Sequence, residues 1–318
     1  LPIFKFFRDL RRSRILKKYP IDPEAFRAAI GEVGLFARLS EDDEASLRRL
    51  ATLFLHEKVF ESSGNLDLTE AMKIRIAALA CLPILHLDLD WYAGWRTVLV
   101  FPAEFVRPRE AMDDIGVMHE WEETLGGEAW ERGPVILSWA DVEASGRCDG
   151  YNVVIHEMAH KLDMLNGPCD GFPPLHRGMR TLAWSKAFTG AFEDFNSRLD
   201  RGEPTVIDPY AGESPAEFFA VLSEYFFEQP GVVESEYPEV YAQMRRFYRT
   251  DPRRRTSGPA VGRIMPGCPA RRAPASVPNV YPDVWRRPES SLREHCECKT
   301  NSTTLENKKA TAAAAMRN

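Results

Sequence analysis

Five residues constrain this chain more than any others: His156-Glu157-Met158-Ala159-His160. The chain has three His-Glu pairs, His56-Glu57, His119-Glu120 and His156-Glu157, and only the third is followed by a second His four positions after the first. The surrounding residues read as a helix. Val153, Val154 and Ile155 lead in, Leu162, Met164 and Leu165 follow, and Asn166-Gly167-Pro168 stops the run. On a helix, residues four apart share one face. Both imidazoles therefore reach one metal ion, and Glu157 stands beside the first of them. A zinc ion held there lowers the pKa of a bound water towards neutrality, and the carboxylate takes its proton. The spacing points to a zinc hydrolase, most often a peptidase.

The rest of the sequence predicts an α+β fold that is mainly helical with a small sheet. Helices are expected from Asp22-Pro23-Glu24 to about Val33, from Glu41 to Phe54 behind a Ser40 cap, and over 69–82 with a stripe of Met72, Ile76 and Leu79. Thr97-Val-Leu-Val-Phe101 and Val135-Ile-Leu-Ser-Trp139 read as strands, the second bounded by Gly133-Pro134 and Ser145-Gly146. Residues 135–139 precede the metal helix by about twenty positions. They are either an edge strand that pairs with an extended substrate or an ordinary internal strand. Further helices are expected from about Met179 to Leu199, from Pro215 to Phe227, and from about Pro238 to Tyr248. Residues 1–90 are expected to form a helical region packed on a catalytic region over 91–250.

From Asp251 onward prolines and arginines dominate, and that composition predicts a disordered basic tail over 251–318. The tail carries 13 Lys and Arg against 6 Asp and Glu, so the first 250 residues hold a net −13 within a whole-chain charge of −6. An acidic body argues against general binding of nucleic acid. The six cysteines form no regular framework, and His295 with Cys296 and Cys298 lacks a complete zinc ligand set. The basic, aromatic start (Phe4, Phe6, Phe7, then Arg8, Arg11, Arg12 and Arg14) is too broken by charge for a signal peptide and reads as a solvated amphipathic helix, the alternative being a segment that touches a membrane surface. The apolar run from Ile74 to Leu89 contains His86, Asp88 and Pro83, and is too short and polar for a membrane span. A cytoplasmic protein is expected.

A catalytic zinc takes three protein ligands and keeps one open position. Asp163 and Asn166 stand where one peptidase architecture would place a Gly and a third His, so that architecture is excluded. Asp163 lies one turn beyond His160, but a straight helix converges poorly on one ion through three residues, so Asp163 suits a partner of the ligands better. Glu217 is the stronger candidate. It follows Pro215, which suits the first turn of a helix, in an otherwise apolar strip of Ala216, Phe218, Phe219, Ala220, Val221 and Leu222. Glu224, seven residues on, returns to the same face and could accept a hydrogen bond from a zinc-ligating His. Tyr210 falls seven residues before Glu217 after Asp208-Pro209. It either donates to an oxyanion or packs.

Together these residues resemble the Mlc titration factor A family of zinc peptidases. The matching text is Asn152-Val-Val-Ile-His-Glu-Met-Ala-His-Lys-Leu-Asp-Met-Leu-Asn-Gly167, Tyr210-Ala211, and Pro215-Ala-Glu-Phe-Phe-Ala-Val-Leu-Ser-Glu-Tyr-Phe-Phe227. The resemblance spans roughly residues 10–250. It implies a zincin-like domain with a gluzincin-type site: His156, His160 and Glu217 on one zinc, Glu157 as base and Tyr210 stabilising the transition state. It also implies aminopeptidase activity on short peptides, and binding of an Mlc-like transcriptional repressor that controls the glucose phosphotransferase system. The other class of function open to the sequence is a binding protein that sequesters a regulator around a vestigial zinc site.

Overall fold

A computed structural model describes residues 2–103, 105–112, 118–125, 127–129 and 133–253. The tail that the sequence predicts from 251, with His295, Cys296 and Cys298, lies outside the described residues from 254 onward. Ten α-helices and six strands appear among the described residues. The α+β, mainly helical architecture is thus the observed one. Three of the early helices start where a side chain satisfies a free amide. Asp22 accepts from Glu24 and Ala25 at the head of α2 (Pro23–Ile30). Ser40 accepts from Asp43 at the head of α3 (Glu41–Glu57), whose first turn holds four acidic residues that suit the positive end of its dipole. Thr69 does the same for α4 (Glu70–Cys81). Before them, α1 (Pro2–Lys18) lies across α3.

The sheet is built around α4. Strand β1 (Val59–Ser62) leaves α3, α4 crosses over, and β2 (Thr97–Phe101) returns parallel to β1, with Val59 opposite Thr97. A hairpin of β3 (Phe105–Met112) and β4 (Met118–Leu125) forms a separate two-stranded sheet. The main sheet then gains β5 (Gly127–Ala129) and β6 (Val135–Ser138), in the order β1-β2-β6-β5. β6 is parallel to β2 and antiparallel to β5. Residues 135–138 are therefore an internal strand, and β5 holds the edge. Ser138 ends β6 and caps α5 (Trp139–Ala144), so Trp139 is helical and not part of the strand.

The second half is helical: α6 (Val153–Asp163), α7 (Thr181–Asp200), α8 (Pro215–Glu228), α9 (Pro230–Glu236) and α10 (Pro238–Tyr248). α6 runs between the sheet side and α8 and is buried along nearly its whole length. α8 is buried almost all round, and an aromatic layer fixes its far face. There Trp184 stacks on Phe188 with centroids 4.3 Å apart, and Phe219 and Phe247 meet Trp184 edge-on. Such pairs add specificity to the area they bury. Core residues come from both sides of position 90, from Phe26 to Tyr248. No helix among the described residues is long and apolar enough to cross a membrane.

Candidate metal centre

The centre is made where the start of α8 faces the middle of α6. Asn152 caps α6, its Oδ1 accepting from the Ile155 amide at 3.1 Å. Ser214 caps α8, accepting from the Glu217 amide at 3.1 Å, and this sets Glu217 in the first turn with its carboxylate turned towards α6. His156 Nε2 and His160 Nε2 are 3.1 Å apart. Glu217 Oε2 lies 3.0 Å from the first and 3.4 Å from the second. These three side chains are the group whose ligand atoms converge within 4.8 Å.

The outer nitrogens of both rings have partners of their own, which orient the rings. His156 Nδ1 donates to Glu224 Oε1 at 2.8 Å, which turns Nε2 towards Glu217. His160 Nδ1 donates to Cys169 Sγ at 3.2 Å, and that thiol donates in turn to Asp163 Oδ2 at 3.2 Å. His160 Nε2 then faces His156 and Glu217. Glu217 Oε2 is buried and has no hydrogen-bond partner. Two imidazole nitrogens and one carboxylate oxygen thus converge on one spot. A metal ion at the centre would take all three as ligands. Ligand atoms bound at about 2.0–2.2 Å to a tetrahedral ion stand about 3.3–3.6 Å apart, and the observed separations of 3.0, 3.1 and 3.4 Å are slightly tighter than that.

The surrounding charges agree. Burial works against a charged His156, but Glu217 and Glu224 raise its affinity for a proton well above the ordinary value, and they do the same for any cation. Burial would lift Glu217, yet the imidazoles beside it hold its carboxyl well below the usual range. Behind the ligands, burial raises Glu224 and pushes Glu228 up to about 7. Both are tied to the entrance of α6. Glu224 Oε2 accepts from the Asn152 amide at 2.5 Å, and Glu228 accepts from Asn152 Nδ2 at 2.8 Å and from the Cys148 amide at 2.6 Å.

Glu157 is buried on the neighbouring side of α6, and its charge acts on His156 and on Lys161. Lys161 donates to the Gly133 carbonyl at 3.1 Å, and burial lowers its pKa to about 8. Tyr210 sits on the short turn Pro209–Gly212, half exposed, with its ring centroid 6.1 Å from that of His156. Asp163 is not one of the converging groups. Its Oδ2 takes the Gly171 amide at 2.7 Å and the Cys169 thiol, which places it behind His160.

Comparison with known proteins bears on this geometry. The profile of the glucose-regulated metallo-peptidase M90 family matches residues 7–249. The chain belongs to that family. Proteins called Mlc titration factor A from Yersinia pestis (strain Pestoides F) and Yersinia pseudotuberculosis serotype O:3 (strain YPIII) are each 39% identical to it over 224 residues. That alignment covers 69% of this chain and 82% of each relative.

The structure of this M90 member brings His156, His160 and Glu217 together, with Glu157, Tyr210 and Glu224 beside them. Cys169, Glu228 and Lys161 were not anticipated. Glu228 carried a signal, since it recurs four residues after Glu224 and eleven after Glu217 on one helical face. Lys161 lies one turn beyond Glu157 and could have been suspected. Cys169 lies in a loop without periodicity, and nothing in the sequence ties it to His160.

Proposed function

We propose that this chain is a zinc-dependent peptidase that removes residues from the amino ends of short peptides in the cytoplasm, and that it also engages a repressor of the Mlc type. The observation that carries the enzymatic reading is the convergence of His156, His160 and Glu217 on one spot with a buried carboxylate, Glu157, next to them on α6. Two imidazoles and one carboxylate, leaving a fourth position open, suit zinc, one ion per chain. When bound, zinc supplies Lewis acidity to water and to the peptide carbonyl.

The protein side of the chemistry then divides as follows. Glu157 takes a proton from the attacking water and passes it to the leaving amine. Tyr210, at the mouth of the site, donates its phenolic O–H to the oxygen that gains charge. Glu224 and the Asp163–Cys169 pair hold the two imidazoles in the tautomer that leaves Nε2 free. β5, at the edge of the sheet, offers its open side to an extended substrate backbone. The aminopeptidase preference rests on the family resemblance carried by residues 152–167 and 215–227. The repressor partner rests on the name of the Yersinia relatives.

Glu157→Gln tests the reading. It is expected to keep about one zinc per chain, measured by mass spectrometry of metal content, while turnover of short peptides falls about 10³-fold. The same variant should still retain a repressor of the Mlc type in a pull-down, and Glu217→Ala should lose the zinc. Undiminished turnover in Glu157→Gln would reject the mechanism. Zinc-loaded wild type that cleaves nothing in a peptide library, yet binds the repressor, would leave only sequestration.

A further inference from the structure

Helix α1 is built inside out for a soluble surface helix. At 100° per residue, Arg8, Arg12, Ile15 and Leu16 share one face, and Phe6, Phe7, Leu10, Arg14 and Lys17 share the opposite one. The first face holds the helix to the body. Arg12 makes a two-pronged pair with Glu57 at 2.8 and 3.0 Å and reaches Asp90 at 2.9 Å, and Arg8 meets Asp90 at 2.6 Å. Ile15 and Leu16 pack on the core. The second face points away from the body. Phe6 and Phe7 are 63% and 61% exposed, with rings edge-on 5.8 Å apart, and Leu10 is 38% exposed beside them. Arg11, Arg14, Lys17 and Lys18 are exposed along the same side and its border.

Lys17 and Lys18 in the last turn suit the negative end of the helix dipole. The dipole does not account for two exposed phenylalanines in the first half. We propose that the outer face of α1 is a reversible anchor for a membrane surface rich in anionic phospholipid. The helix would lie flat, over about 25 Å, with Phe6, Phe7 and Leu10 at the level where headgroups meet acyl chains. Arg11, Arg14, Lys17 and Lys18 would reach phosphates. The charge pattern selects this occupant. The tail of the chain, the other apolar-bearing segment at hand, is itself net positive and is repelled by these cations. The acidic groups nearest α1 on the body, Glu57 and Asp90, are already neutralised by Arg12 and Arg8. More distant acidic residues are screened within about a Debye length of 8–10 Å.

The anchor is independent of the peptidase reading and is tested without it. Full-length protein is sedimented with vesicles of phosphatidylcholine alone and with vesicles that also contain phosphatidylglycerol, at low and at high salt. It is expected to bind the mixed vesicles, to ignore the neutral ones, and to release as salt rises. The double change Phe6→Ser with Phe7→Ser should lower partitioning about tenfold or more while thermal stability stays put. Arg14→Glu with Lys17→Glu should lower it comparably. If the phenylalanine variant binds as wild type does, the basic tail is the attracting element and the proposal fails. It fails equally if wild type ignores anionic vesicles at low salt, or if the phenylalanines instead prove to hold two copies of the chain together in ultracentrifugation.

Discussion

His160 is held from behind by a thiol. Cys169 accepts from His160 Nδ1 and donates to Asp163, whose own Oδ2 is fixed by the Gly171 amide. Burial and the neighbouring Asp163 carboxylate raise the Cys169 thiol far above its ordinary value, so it keeps the proton it donates. The relay fixes the tautomer that exposes Nε2, which predicts a residue-scale effect. Cys169→Ala should weaken zinc retention about 10–100-fold in competition with a chelator, and Cys169→Ser, which can both accept and donate, should restore most of it. Equal zinc retention in wild type and Cys169→Ala would show that Asp163 and the loop hold His160 without the thiol. At this scale the sequence was legible where chemistry recurs with helical spacing. His156, Glu157 and His160 announce themselves, and Glu217 and Glu224 follow from an acidic pattern in an apolar strip. Cys169 does not, because its contact depends on how the loop after α6 folds back.

At the scale of elements, one asparagine joins the two helices of the site. Asn152 caps α6 through Oδ1, while its amide and its Nδ2 serve Glu224 and Glu228 on α8. Asn152→Ala removes the cap and takes one donor from a buried carboxylate. Together these should cost about 2–4 kcal/mol in urea unfolding. Asn152→Asp keeps the cap acceptor but sets a third carboxylate against Glu224 and Glu228, and should be no milder. Elements of this kind were readable from their ends. Asp22, Ser40 and Ser214 stand at helix starts, and α10 begins at Pro238 as the sequence suggests. β1 was not readable. It has four residues, mostly exposed, and follows α3 almost at once, so no alternation marks it. Whether β6 was an edge or an internal strand also had no local signature. Its place is decided by pairing with β2, more than thirty residues earlier, and with β5.

For the molecule as a whole, the mainly helical α+β class was legible because α3, α4, α6 and α8 are long and begin at capping side chains. The shared core was less so, because contacts that join the N-terminal helices to α6 span long stretches of sequence. Lys58 sits at one such junction. It is buried where α3 passes into β1, donates to the carbonyls of Tyr92 and Trp95 at 2.6 and 2.8 Å, and lies 3.6 Å from the Trp95 ring centroid. Burial lowers its pKa to about 7, against the pull of Glu57 and with help from Lys161. The folded protein therefore releases this proton earlier than the unfolded chain does. Between about pH 7 and the ordinary lysine range the unfolded state holds the extra proton, and stability contributed at this site rises with pH. Burial-raised groups such as Glu228, at about 7, act in the opposite sense and mostly below that window, since there the folded state holds the extra proton. Lys58→Met removes the lysine term alone. Between pH 7 and 8.5 the unfolding free energy of wild type should therefore gain about 1.5–2 kcal/mol relative to Lys58→Met, measured in urea with the metal content held fixed. A constant difference across that range would mean that the Lys58 ammonium keeps its proton, stabilised by the two carbonyls and the Trp95 face more than burial disfavours it.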